Sequence, residues 1–208
     1  VKYFCCIMSI WSWSQSNDSG NSIIIIESQN IIYNQLNRSM LLINLERFSE
    51  AIENLEQAKH RASRMIDDDD RVEMRFWLAT ILMKQGSVYH RMENIQKALT
   101  FLDQSIELFE NLIDQEGKHD LSRDLYFGYA EKAEILEKMG DNQQALVFMD
   151  RIVDILTRFN DLYQQVDFNV ERAHYIVKRA LIKDSLGIRE GIETDLQTAV
   201  PVLRTASG

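Results

Sequence analysis

The sequence contains little proline, glycine or cysteine. One Pro and 8 Gly among 208 residues are too few for an all-β fold, whose short strands need turn residues about every 8 to 12 positions. The 2 Cys, Cys5 and Cys6, are adjacent, which excludes a disulfide framework and indicates a reducing, cytoplasmic location. These absences predict a chain built from long helices.

Basic residues are also in the minority. The sequence has 23 Lys and Arg against 32 Asp and Glu, a net charge of -9. Because nucleic-acid binding is largely electrostatic, this charge argues against nucleic acid as a partner. The apolar stretch from Tyr3 to Trp13 is interrupted by Ser9 and Ser12 and is too short to span a bilayer. We therefore expect no membrane insertion; a secretory signal is the alternative, since Lys2 precedes the apolar stretch.

Motifs for catalysis, cofactors and metals are missing from the sequence. It has no glycine-rich phosphate loop, H-E-x-x-H or G-x-S-x-G motif. The run Asp67 to Asp70 lacks the Gly and distal Glu of a calcium loop, so we interpret it as a helix-entry segment. His90 and His174 have no local metal-ligand spacing, and carboxylate pairs such as Glu131 with Glu134 are common on acidic helices. We predict no enzymatic activity, no cofactor and no metal.

An offset of 47 residues relates apolar positions along the chain. In three copies an Ala is followed at offsets of 4, 7 and 11 by further small or apolar residues, and these offsets describe one face of an α-helix. The fourth copy begins with Ile. The four sets are Ala51, Leu55, Ala58 and Ala62; Ala98, Leu102, Ser105 and Phe109; Ala145, Met149, Ile152 and Leu156; Ile192, Leu196, Ala199 and Leu203.

A second helix with the same offset precedes each of these helices. Its small residue is followed three and six residues later by large residues, with Lys183 out of type. A short breaker then separates the two helices, and the breaker Gly140-Asp141 combines tolerance of the left-handed conformation with an N-cap. The small residues are Ser39, Gly86, Ala133 and Ala180; the breakers are Glu46-Arg47, Glu93-Asn94, Gly140-Asp141 and Gly187-Ile188.

This pattern predicts an all-α fold, an α-solenoid of about four antiparallel helix-turn-helix hairpins. Stacking is needed because a single hairpin cannot bury its apolar face. Pro201 is expected to kink or end the last helix. We expect helices at 29–45, 48–65, 70–92, 94–115, 121–139, 142–160, 163–186 and 189–204. The repeat domain then covers 29–208, with units near 29–66, 67–115, 120–160 and 163–204, and residues 1–28 form a segment outside the repeat, acting as a cap, a linker or a mispredicted start.

The spacing within these hairpins resembles the tetratricopeptide repeat (TPR) pattern W-x2-L-G-x2-Y followed by A-x3-F-x2-A. The resemblance covers about residues 30 to 204 and implies a right-handed superhelix of TPR type. Two departures are the longer period and the missing Pro at the end of each unit; a third is a polar residue in place of the apolar one before each small residue. The residues that carry the resemblance are Leu82, Gly86, Tyr89, Ala98, Leu102 and Ser105, then Tyr129, Ala133, Leu136, Ala145, Met149 and Ile152; the polar replacements are Arg38, Gln85, Lys132 and Arg179.

The resemblance also implies a concave groove that is lined by the first helix of each hairpin. Asn44, Arg91, Lys138 and Ser185 share the 47-residue spacing and are expected to form a polar ladder able to hold a peptide; the alternative is that they are ordinary solvated residues at helix ends. The clamp for chaperone tails is not expected, since Leu36, Met40 and Ser87 occupy its Lys and Asn positions. The groove residues implied are Tyr33, Leu36, Asn44, Thr80, Met83, Ser87, His90, Arg91, Phe127, Glu134, Lys138, His174 and Asp184.

The function that follows from the resemblance is that of an adaptor or scaffold module binding a peptide or helix of another protein. Two alternatives stay open: a peptide-sensing regulator of bacterial type, and an accessory repeat region of a larger multidomain signalling protein. A homodimer through an uncapped end of the array is a further expectation, because solenoids normally carry polar capping repeats.

Overall fold

The architecture is all-α and its helices follow one another as hairpins, as the sequence predicts. The computed structural model describes residues 19–67, 71–163 and 166–206. Within these ranges no strand is present. A 3-10 turn, His119–Leu121, precedes the fifth helix. The helices are α1 (Ser19–Asn44), α2 (Phe48–Asp67), α3 (Met74–Arg91), α4 (Ile95–Asp114), α5 (Ser122–Lys138), α6 (Asn142–Tyr163), α7 (Val166–Ser185) and α8 (Ile192–Ala206).

Each hairpin turns at a residue in the left-handed conformation, and all four predicted breakers are confirmed. The residues are Glu46, Glu93, Gly140 and Gly187, with φ between 60° and 80°. The following residue in each turn donates its N–H to a carbonyl five residues back, at 2.9 Å in all four turns, the hydrogen bond that closes a Schellman motif. The Asp141 carboxylate accepts the N–H of Gln144 at 3.1 Å, and so caps α6 as expected.

Small residues are buried where the two helices of a hairpin cross. A methyl group added at Gly86 of α3 would lie 2.7 Å from Cγ of Leu102 and 3.3 Å from the carbonyl oxygen of Ala98, both on α4. Ala51, Ala98 and Ala145 are fully buried. The close approach that the small residues predicted is therefore confirmed, and Leu102 fills the space beside Gly86.

The helices stack in chain order, each against the next, and form two layers. The first layer contains the first helix of each hairpin, and backbones of α1 and α3, and of α3 and α5, approach within 8 Å. Within the described chain, no two second helices come that close. The layer of first helices is therefore the more closely spaced one, as expected for the inner side of a curved solenoid.

Polar pairs tie α3, α5 and α7 each to the second helix of the preceding hairpin. Gln85 donates to Glu56 at 2.6 Å, and Lys132 is paired with Asp103. These are the positions at which the sequence departs from the TPR pattern. The departure therefore replaces an apolar contact between hairpins by a polar one. In the last pair, Arg179 contacts Asp150 at 3.2 Å.

Most helix boundaries differ from those expected by one to four residues, and that of α1 differs by more at its start. The first helix is already formed at Ser19, the first residue that the structure describes, and not only from 29. No Gly or Pro lies between residues 21 and 44 to interrupt it, and the Ile run lowers helix propensity by only tenths of a kcal/mol per residue. The third begins at Met74 rather than 70. Of the predicted entry run Asp67 to Asp70, Asp67 is instead the last residue of α2, while 68–70 lie outside the described residues, as does the apolar stretch from Tyr3 to Trp13. The last helix does not end at Pro201 but continues to Ala206. Pro201 is exposed, as is Gln197, whose carbonyl loses its helical N–H partner, so water can satisfy that carbonyl.

Candidate functional site

The predicted groove residues all lie on the layer of first helices, but not all of them are accessible. Leu36 and Met83 are 8% and 6% exposed and form part of the apolar floor beneath the face. Tyr33, Thr80, Ser87, His90 and Phe127 are half-buried, and the exposed ones are Asn44, Arg91, Glu134, Lys138, His174 and Asp184.

The centre of this face contains a polar cluster that spans α3 and α5. Ser87 Oγ donates a 2.5 Å hydrogen bond to Oε2 of Glu131, and Nδ1 of His90 lies 3.6 Å from Oε1 of the same carboxylate. Ser87 and His90 were predicted to line the groove, whereas Glu131 was not. Glu131 lies three residues before Glu134, one turn earlier on α5, and this offset is the signal that could have placed it on the same face.

A second carboxylate, that of Glu134, lies beside the cluster and is held by a lysine. Lys138 donates to Oε1 of Glu134 at 2.7 Å, and this hydrogen bond lowers the pKa of Glu134, with smaller contributions from the charges of His90 and Lys178. Glu134 therefore stays ionised at neutral pH. Lys138, predicted as part of the polar ladder, thus has an intrahelical partner on the same face.

The other ladder residues lean towards the preceding hairpin. The guanidinium of Arg91 lies 5.5 Å from the centre of the Phe48 ring, at the first residue of α2. The side-chain amide of Asn142, the first residue of α6, donates to Ser185 Oγ at 2.9 Å. Arg91 and Ser185 therefore contact a neighbouring hairpin at the turn edge of the face. Asn44 is exposed at the end of α1.

Tyrosines bridge α5 and α7 at the opposite end of the helices. The Tyr126 hydroxyl donates to Glu171 at 2.6 Å, and its ring packs edge-on against Tyr175 with centroids 5.8 Å apart. Burial is the main reason that the pKa of Tyr126 is raised far above its usual value, and the hydrogen bond to Glu171 adds to it. Sequence reasoning missed this bridge because the resemblance pointed to the neighbouring Phe127.

The two groove histidines have different surroundings. Nδ1 of His174 lies 3.0 Å from the carbonyl of Val170, one turn back on its own helix. His90 instead faces Glu131 across α3 and α5. In the described part of the chain, no group of three or more His, Cys, Asp or Glu side chains is arranged to hold a metal ion. The face can therefore offer hydrogen bonds, charges of both signs and apolar contacts to a ligand.

An exposed leucine adds an apolar contact to the face. Leu181 of α7 is 65% exposed, and it lies on the helix that also carries His174 and Lys178.

Among the residues that the structure describes, no helix is both long and apolar enough to cross a membrane.

Comparison with known proteins identifies one part of this architecture. A family model described as tetratricopeptide repeat matches residues 79–112, a range that contains Leu82, Gly86, Ala98 and Leu102 of the predicted motif. No curated protein matches the chain. The match covers a single α3–α4 hairpin and leaves the 47-residue period a prediction of the sequence. Tetratricopeptide repeats are generally non-enzymatic modules that bind other proteins, and the chain contains a repeat of this kind within an all-α helical solenoid.

Proposed function

We propose that the chain is a cytoplasmic protein–protein interaction module that holds a peptide or helix of a partner against the first-helix face. The observation that carries the proposal is the cluster of Ser87, His90 and Glu131, where side chains of two neighbouring helices converge on one accessible face of a TPR-like array. Such convergence offers a ligand several polar contacts from a rigid scaffold.

The charges of the face indicate what chemistry the ligand has. Arg91 and Lys138 lie at the turn edge, where a carboxylate of the ligand would meet cations. Glu134 lies nearer the centre and would accept from ligand amide or basic groups. Leu181 provides an exposed apolar contact on α7. A ligand with an acidic end, a polar middle and one apolar anchor fits this order.

Charge reversal at the turn edge tests the proposal. The full chain is used to capture partners from lysate of the source organism, with detection by mass spectrometry, beside an Arg91→Glu/Lys138→Glu variant. We expect the captured partner to fall at least tenfold in the variant, because two attractive contacts become repulsive. Circular dichroism is expected to stay unchanged, since both side chains are exposed.

A matched control places the same charge change on the second-helix layer. Arg61 of α2 and Arg158 of α6 are both exposed, and an Arg61→Glu/Arg158→Glu variant has the same net charge as the turn-edge variant. Partner capture should survive in this control. Equal loss in both variants would show that capture depends on net charge alone, and equal retention would move the binding face elsewhere; either result rejects the proposal.

A further inference from the structure

A polar side chain occupies the same place on each first helix, six residues before the helix ends. On α3, α5 and α7 this side chain is Gln85, Lys132 or Arg179, and each contacts an acid on the preceding second helix. On α1 the corresponding residue is Arg38, six residues before Asn44. Arg38 is exposed. Its charge acts on nearby Glu50 of α2, but its guanidinium is accessible to solvent and can also make the contact that the other three residues make.

The apolar neighbour of Arg38 is also uncovered. Leu41, three residues before the end of α1, is 62% exposed, whereas the corresponding Val88, Ile135 and Ile182 are 0%, 0% and 4% exposed. Those three belong to cores shared with the preceding hairpin. Ile31, on the same stripe of α1, is 41% exposed. This stripe of Ile31, Arg38 and Leu41 is named the α1 outer face.

We propose that the α1 outer face binds an amphipathic helix of a partner protein that carries an acidic side chain opposite Arg38. The helix would lie on α1 as α6 lies on α7. The pair of Arg179 and Asp150 is the template for the polar contact, with its nitrogen and oxygen 3.2 Å apart. An apolar residue of the partner would cover Leu41, as the preceding hairpin covers Ile182.

Charge complementarity selects a partner over segments of this chain. Residues 1–17 contain no Asp or Glu, so they offer no carboxylate to Arg38. Asp18 adjoins Ser19 in the sequence, and Ser19 and Arg38 are about 29 Å apart along α1, which puts that carboxylate out of reach as well. Glu56, Asp103 and Asp150 occupy the same position on three second helices, 47 residues apart. On α8 that position is held by Gln197, which is uncharged. A second copy docking through α8 would therefore also leave Arg38 without an acid at that position.

A helix from this chain can serve as the probe, because its geometry on a first helix is known. A fluorescent synthetic peptide with the sequence of residues 142–163, which make up α6 with Asp150 at the contact position, is titrated with the full chain and followed by fluorescence anisotropy. We expect binding that weakens at least tenfold for an Arg38→Glu chain or for a peptide carrying Asp150→Asn. An Arg38→Asp chain should regain affinity for a peptide carrying Asp150→Arg. Binding that is indifferent to residue 38 overturns the proposal, and so does absence of binding.

Thiol labelling shows whether the face is open before the probe arrives. Leu41→Cys is placed in a Cys5→Ser/Cys6→Ser background and labelled with a maleimide. We expect rapid labelling of the free chain and at least tenfold slower labelling with saturating peptide. A free chain that is labelled slowly at every concentration has this face covered by its own residues. A labelling rate that falls as the chain concentration rises shows that a second copy covers the face. Either result overturns the proposal.

This inference is independent of the groove. The Arg91→Glu/Lys138→Glu variant should bind the α6 peptide as the unmodified chain does, because those residues lie on α3 and α5 and are not part of the α1 outer face. The failure of the groove proposal and the failure of the α1 outer face proposal can therefore be distinguished from each other.

Discussion

Replacing Gly86 by Ala separates helix propensity from packing. Propensity alone favours Ala by about 1 kcal/mol in a helix interior. The added methyl group, however, would lie 2.7 Å from Cγ and 3.0 Å from Cδ2 of Leu102, closer than carbon atoms pack. Leu102 is fully buried, so it can move away only by displacing the side chains packed around it. Overpacking of this kind costs about 1–3 kcal/mol, so we expect Gly86→Ala to lower the free energy of unfolding by about 1 kcal/mol.

Urea denaturation of the single and double variants tests this reasoning. Leu102→Ala alone should cost about 2–5 kcal/mol, because it leaves a cavity. The Gly86→Ala/Leu102→Ala variant should cost less than the sum of the two single variants by at least 1 kcal/mol, since the new methyl group enters the vacated space. Gly128→Ala is the matched control: its nearest atom, Cγ1 of Ile106, lies at 3.2 Å, so overpacking is milder and the change should be close to zero. A Gly86→Ala variant that is more stable than the unmodified chain would refute the close contact.

Three further predictions concern the turns, a buried charge and a tyrosine. Glu93 has a φ of 60°, so Glu93→Gly should raise the free energy of unfolding by about 0.5–1 kcal/mol, and Gly140→Ala should lower it by a similar amount. Urea denaturation measures both changes. A destabilising Glu93→Gly or a stabilising Gly140→Ala would contradict the strain argument. Asp195 is buried between Arg179 and Lys183, so Asp195→Ala should cost about 3 kcal/mol in the same assay, whereas Asp184→Ala, in an exposed pair, should cost less than about 1. Folding raises the pKa of Tyr126, so as the pH rises the hydroxyl proton of Tyr126 is lost from the unfolded chain before it is lost from the folded chain. The free energy of unfolding should therefore fall as the pH rises above about 10. The Tyr126→Phe variant should show a smaller fall, and a pH profile identical to that of the unmodified chain would contradict the role given to Tyr126.

The turns and the helix crossings could be predicted from the sequence because they depend on local chemistry. Gly140 tolerates the left-handed conformation and Asp141 caps the next helix, so the turn between α5 and α6 follows from two adjacent residues. Glu93 lacks that tolerance, yet the aligned spacing placed a turn there and the structure has it. The helical residues of α1 before position 29 were not predicted, because residues 19–28 have no counterpart at the 47-residue spacing.

The polar contacts between helices could be predicted only in part. Lys132 departs from the family pattern, and the acids Glu56, Asp103 and Asp150 share the 47-residue spacing of the polar residues that they meet. The resemblance names positions for groove residues but does not include Glu131, which follows only from the face of α5 that carries Glu134. Which side chains meet across two helices depends on the crossing angle of the helices and on the rotation of each helix about its axis. Neither quantity can be read from the apolar periodicity of one helix.

The tyrosine bridge between α5 and α7 has a mechanical consequence. The backbones of α1, α3 and α5 approach one another in sequence within 8 Å, but in the described chain those of α5 and α7 do not, and Tyr126 spans this gap with Glu171 and Tyr175. The helix α7 meanwhile stays closely packed against α6. The bridge therefore acts as a spacer, which holds α5 and α7 at this wider separation through a ring contact and a hydrogen bond.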